Sequence, residues 1–141
     1  MNVDKDRFPR WVWLLIGLFA MAILANAINV LVLFEAGLPE RYGVVTVIAG
    51  MAPVIVYVGV WYDEDRQHYW EHSRLRIAGD VTFLALGTIA GATVALAGIV
   101  DTGLPTLVQD LLAMTVGFLA GWVLFYFRNP DLYFADPDQR R

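Results

Sequence analysis

The densest polar chemistry in the chain is the stretch DEDRQHYWEHSRLR, from Asp63 to Arg76. His68 and His72 stand four residues apart, so they share a face if this stretch is an α-helix. Asp65 precedes His68 by three residues. Two imidazoles and a carboxylate are donors that zinc or another divalent ion accepts. His68, His72 and Asp65 are therefore the candidate metal ligands. The spacing HxxxH lacks the glutamate of HExxH, so no metalloprotease signature is present. The competing reading, which the composition favours, is an interfacial segment with Tyr69 and Trp70 at lipid headgroups and arginines on lipid phosphates.

A second set of polar residues lies inside apolar runs. Asn26 and Asn29 are one helical turn apart, and Thr88 and Thr93 accompany them on a later run. An amide buried without a partner costs several kcal/mol on the order of magnitude of transfer data. The two asparagines should therefore face another helix or a pore. Asp80 and Asp110 sit near helix ends, where acids are favoured at the N-terminal side. Asp80 has Arg76 four residues earlier as a possible partner. Pro53, in GMAPV, removes a backbone hydrogen bond and marks a kink or hinge.

Several function classes are excluded or weakened. With no Cys there is no thiolate metal site and no disulfide framework. GTIAG is not followed by Gly-Lys-Ser/Thr, so it is not a phosphate loop. A formal charge of −4 with no large basic patch argues against nucleic acid as a partner. No cofactor is assigned, since both histidines lie outside the apolar runs.

The elements that must position these residues are four apolar stretches, about 11–34, 42–62, 77–100 and 107–127. Hydrophobic residues are 58% of the 141 and charged ones 17%, far more apolar matter than one soluble core of this size needs. A helix of about 20 residues crosses a ~30 Å hydrocarbon layer. Lipid cannot satisfy open backbone groups, so helices or a closed barrel are the choices. Runs such as WVWLLIGLFAMAILA lack the alternation of barrel strands. The expected fold is an all-α integral membrane protein with four transmembrane helices as two tandem hairpins. Residues 1–10 form an N-terminal tail, 11–127 the membrane domain, 63–76 a polar loop and 128–141 a C-terminal tail. The first run is longer than a signal-peptide h-region and reads as a span.

Lys and Arg number 3, 1, 3, 0 and 3 along the five polar segments. This odd–even bias puts both termini and the middle loop in the cytoplasm of a plasma membrane protein. Nine Arg against one Lys, and 14 acidic residues gathered in the polar segments, fit the acidic surface of a halophilic prokaryote.

Two turns share a pattern, LFEAGLPERYG and IVDTGLPTLVQ, with Gly37 and Gly103 66 residues apart. A helix pair repeated in tandem would look like this. In either case the glycine suits a left-handed helix cap and the proline after it starts the next helix. Gly87 and Gly91, and Gly117 and Gly121, form small faces at spacing four, which let helix backbones approach closely within one chain or between copies. The first functional expectation is an accessory or structural subunit, or scaffold, acting through helix packing. Its partners are the bilayer and either copies of itself or another membrane subunit. The alternative is an oligomeric channel or small-solute or ion transporter lined by Asn26, Asn29, Thr88 and Thr93. A membrane enzyme with an interfacial site ranks third.

Overall fold

The computed structural model describes residues 3–134. It is all-α. Helix α1 covers Arg10–Ile28 and continues through a wide π turn, Asn29–Leu33. Helix α2 covers Gly43–Tyr62, α3 covers Arg74–Ile99 and α4 covers Thr106–Arg128. With their flanking turns, all four are long and apolar enough to cross a membrane. Short 3-10 turns precede α1 and α2, fill the middle loop at Glu64–Glu71 and follow α4 at Pro130–Leu132.

Local chemistry sets the ends. Gly37 and Gly103 both take positive φ, 102° and 75°, a conformation open to glycine because it has no Cβ. Leu38 N–H returns to the Leu33 carbonyl at 2.9 Å, closing the end of α1. The Ser73 hydroxyl accepts from Arg76 N–H at 3.2 Å and so caps α3. Helix α2 runs unbroken through Pro53.

Two apolar clusters make the core. One joins Val56, Val60, Tyr69, Leu84, Phe125 and Leu132, and the other Val45, Ile48, Ala92, Leu96 and Ala113. Their members come from α2, α3, α4 and the segments after α2 and α4. Helix α1 supplies none of them. It packs principally on α2, Gly17 against Val54 and Gly50 against Met21. The apolar stretch of α1 is 11% buried within the chain, against 17% for α4, 28% for α3 and 39% for α2.

The most extensive contact is between α3 and α4, and the small faces account for it. A Cβ on Gly87 would come within 3.1 Å of the Gly121 backbone, and one on Gly91 within 3.3 Å of Gly117. A Cβ on Gly117 would lie 2.9 Å from the Thr88 carbonyl. All four glycines therefore serve contact inside the chain.

The end of the bundle where α1 begins and α4 ends is tied across its helices. The guanidinium of Arg10, at the start of α1, lies against Gly59 near the end of α2 beside that of Arg66. His68 Nε2 and Asp131 Oδ2 are 3.2 Å apart. Arg66 stacks on the Tyr133 ring, 5.0 Å from its centroid. The segment after α4 thus folds back onto the middle loop. Arg140 and Arg141 lie outside the described residues.

Candidate functional site

A buried carboxylate lies at the centre of this tied end. Asp80, on the second turn of α3, is fully buried, as are Tyr69 of the middle loop and Asn129 just past α4. Asp80 Oδ1 accepts from Arg128 Nε. Asp80 Oδ2 accepts from the Tyr69 hydroxyl at 3.0 Å and from Asn129 Nδ2 at 3.2 Å. Arg76 lies across the rim, donating to the Arg128 carbonyl at 2.9 Å and to Asn129 Oδ1 at 3.4 Å. That places a cation on the carbonyl end of α4, where the helix dipole favours it.

The hydrogen bonds have a defined direction. An ionised carboxylate only accepts, so Tyr69 donates to Asp80. The Tyr69 oxygen then accepts from the Tyr57 hydroxyl, 2.7 Å away. Burial pushes the Tyr69 phenol above its ordinary pKa, and the neighbouring Tyr57 hydroxyl and Asp80 charge push it the same way. Burial also raises Tyr133, whose oxygen accepts from Trp122 Nε1 at 3.1 Å. The result is a closed clamp. It joins α2 through Tyr57, the loop through Tyr69, α3 through Asp80 and the end of α4 through Arg128 and Asn129.

Sequence reasoning placed Asp80 at a helix end with Arg76 as its partner. The tertiary partner is Arg128, because the start of α3 and the end of α4 lie at one level. Arg128, Asn129 and Tyr57 were not singled out by sequence. The available signal was the need of an acid inside an apolar run for a cation, and Arg128 stands at the end of another such run.

The His68, His72 and Asp65 set does not converge. The loop is a 3-10 helix over Glu64–Glu71, with about three residues per turn, and His72 follows it in extended backbone, so His68 and His72 do not share an α-helical face. His68 Nε2 meets Asp131, while its Nδ1 lies 3.2 Å from the Asp65 carbonyl, not the carboxylate. His72 Nδ1 lies 2.8 Å from the Tyr69 carbonyl. Among the described residues no group of three or more His, Asp or Glu side chains is placed to hold a metal ion. Tyr69 is buried in the bundle, and Trp70 beside it is 40% exposed.

The apolar-run candidates separate. Asn29 is buried and donates through Nδ2 to the Gly43 carbonyl at 2.9 Å, while its Oδ1 has no partner. Asn26 is exposed and donates to the Ala22 carbonyl of its own helix at 3.0 Å. Thr88 is buried, with its hydroxyl on the Leu84 carbonyl at 2.8 Å. Thr93 lies in the wall of an apolar crevice of about 530 Å³ between α2 and α3. Pro53 lines a second crevice of about 480 Å³, with Tyr57, Trp61 and Trp70. Asp110 is half-buried near the start of α4. The asparagines, the threonines and Pro53 thus do not line one common path.

Fold and site together define a small all-α chain, consistent with a membrane-embedded helical bundle, clamped at one end by a buried ion pair. Comparison with protein-family models, with curated proteins and with solved structures gives no match.

Proposed function

We propose that the chain is an integral membrane protein that works by packing, as an accessory or structural subunit. Its four helices cross the bilayer as two tandem hairpins. The Arg distribution supports a cytoplasmic location for both termini and the middle loop, with the clamp at the cytoplasmic end.

The observation that carries this reading is a closed interior beside an uncovered α1. Among the described residues between the levels of Asn29 and Asp80, the buried side chains other than Thr88 are apolar, Ala52, Leu84, Ala92, Leu96 and Ala113 among them. Thr88 is the buried polar residue there, and its hydroxyl is taken by its own helix. Conduction needs polar surface through the midplane, and this packing offers none within one copy. Every donor that reaches Asp80 holds an element of the fold, so the carboxylate serves assembly. Helix α1 is the least buried of the four helices, which leaves a face for lipid or a partner.

The test is purification in native lipid followed by native mass measurement, with flux assays on reconstituted vesicles. The expected result is a stoichiometric assembly, with itself or with another membrane protein, and no ion or solute flux above empty vesicles. Flux that Asn29→Ala abolishes would overturn the packing reading in favour of transport.

A further inference from the structure

The two amides of α1 have opposite environments. Asn29 points to α2 and bonds the Gly43 carbonyl. Asn26 is on the outer surface. One of its N–H groups bonds the Ala22 carbonyl, and among the described residues no donor reaches its Oδ1. At ~1.5 Å per residue, Asn26 lies about 24 Å along the helix from Arg10 and about 10 Å short of Leu33. That is inside a ~30 Å hydrocarbon layer. Among the described residues and away from helix ends, it is the only amide or charged side chain on the outside of the four spans. Lipid supplies neither donors nor acceptors at that depth.

Asn26 also sits in a regular stripe. Leu15, Phe19, Ile23, Asn26 and Val30 follow at steps of four, four, three and four, and so fall within about 80° of one face of an ideal helix. The four apolar members are 58%, 71%, 56% and 58% exposed. The glycine faces that would otherwise attract a partner helix are occupied between α3 and α4.

We propose that α1 is a self-association face, on which two copies pair about a two-fold axis along the membrane normal and Asn26 of each copy bonds Asn26 of the other. The proposal rests on the packing reading above and names its partner as a second copy. Copies of one chain insert in one orientation, so this axis keeps every residue at its own depth. A second copy therefore brings an amide to the level where one is needed. An amide carries both a donor and an acceptor, so the pair is self-complementary, as an isologous interface requires.

The chain contains no Cys, so single-Cys variants of the full chain can be oxidised in native membranes without background. Phe19→Cys and Val30→Cys should form crosslinked dimers. Leu24→Cys, 50% exposed on the other side of α1, and Val94→Cys, 73% exposed on α3, should not. Asn26→Leu should weaken dimerisation about 3- to 20-fold, and Asn26→Gln, which keeps the amide, should restore most of it. Crosslinking at Leu24→Cys or Val94→Cys with Phe19→Cys silent would overturn the proposal. So would a dimer fraction indifferent to Asn26→Leu. A different protein bound in fixed ratio along this stripe would overturn self-association and leave the packing reading standing. A monomer that passes solute would remove both.

Discussion

Replacing Arg128 by methionine would leave Asp80 ionised, fully buried and held by two neutral donors, Tyr69 and Asn129. Breaking a buried ion pair from one side costs about 3–5 kcal/mol, because the remaining charge is left without its counter-ion. The Arg128 side chain is 37% exposed, so water can enter where the guanidinium lay. The expected loss for Arg128→Met is therefore at the lower end, about 3 kcal/mol. Asp80→Asn removes the charge that needs compensation and lets Arg128 turn to solvent, at an expected cost of about 1–2 kcal/mol. In the double variant neither charge remains, so its loss should fall short of the sum by about 2 kcal/mol. Reversible unfolding in mixed micelles, followed through the emission of the five tryptophans, measures all four corners of this cycle. A coupling near zero, or an Arg128→Met variant as stable as the parent, would refute the argument that the clamp holds this end of the bundle together.

Two further expectations follow from the packing. Gly121→Ala would drive a methyl into the Leu84 carbonyl, 2.5 Å away, and into Thr88, whereas Gly98→Ala meets open space. Overpacking costs about 1–3 kcal/mol, so in the same unfolding assay Gly121→Ala should lose that amount and Gly98→Ala none of it. Because burial raises the Tyr69 phenol, the unfolded chain ionises first as pH rises. The stabilisation from Tyr69 is complete below about pH 10, the ordinary phenol value, and is lost as pH climbs from there towards the folded value. Tyr69→Phe should reduce that alkaline sensitivity. It should also leave unchanged the phenolate absorbance that the folded protein develops up to about pH 11, since the deleted phenol did not titrate there.

The four long helices were legible in the sequence because four apolar runs of about 20 residues lack the alternation of barrel strands. The caps were legible too, since Gly37 and Gly103 stand where only a residue without Cβ turns easily. The clamp was not. Asp80 is visible as an acid in an apolar run, but 48 residues separate it from Arg128, and no spacing rule links residues on different helices. Asn26 and Asn29 are three apart and so only about 60° apart around an ideal helix. That angle is enough to straddle the edge of a contact face, and a π turn begins at Asn29. The glycine spacing pointed to close helix contact without naming the partner. The histidine pattern assumed an α-helix, and the loop adopts a tighter turn that sends the two rings apart.

What the sequence determined by itself is the number of long apolar helices and the two glycine turns, at Gly37 and Gly103; the start of α3 at Arg74, ahead of the apolar run, was not legible in that run. The helices and the turns follow from backbone hydrogen bonding and side-chain sterics acting over a few neighbouring residues. The tertiary structure alone decided that α3 and α4 consume the glycine faces, that α1 stands outside the core, and that Asp80 finds Arg128. Those outcomes depend on how each helix is rotated and on which helix ends share a level. Packing sets both by excluding every arrangement in which side chains overlap or a buried charge goes unanswered.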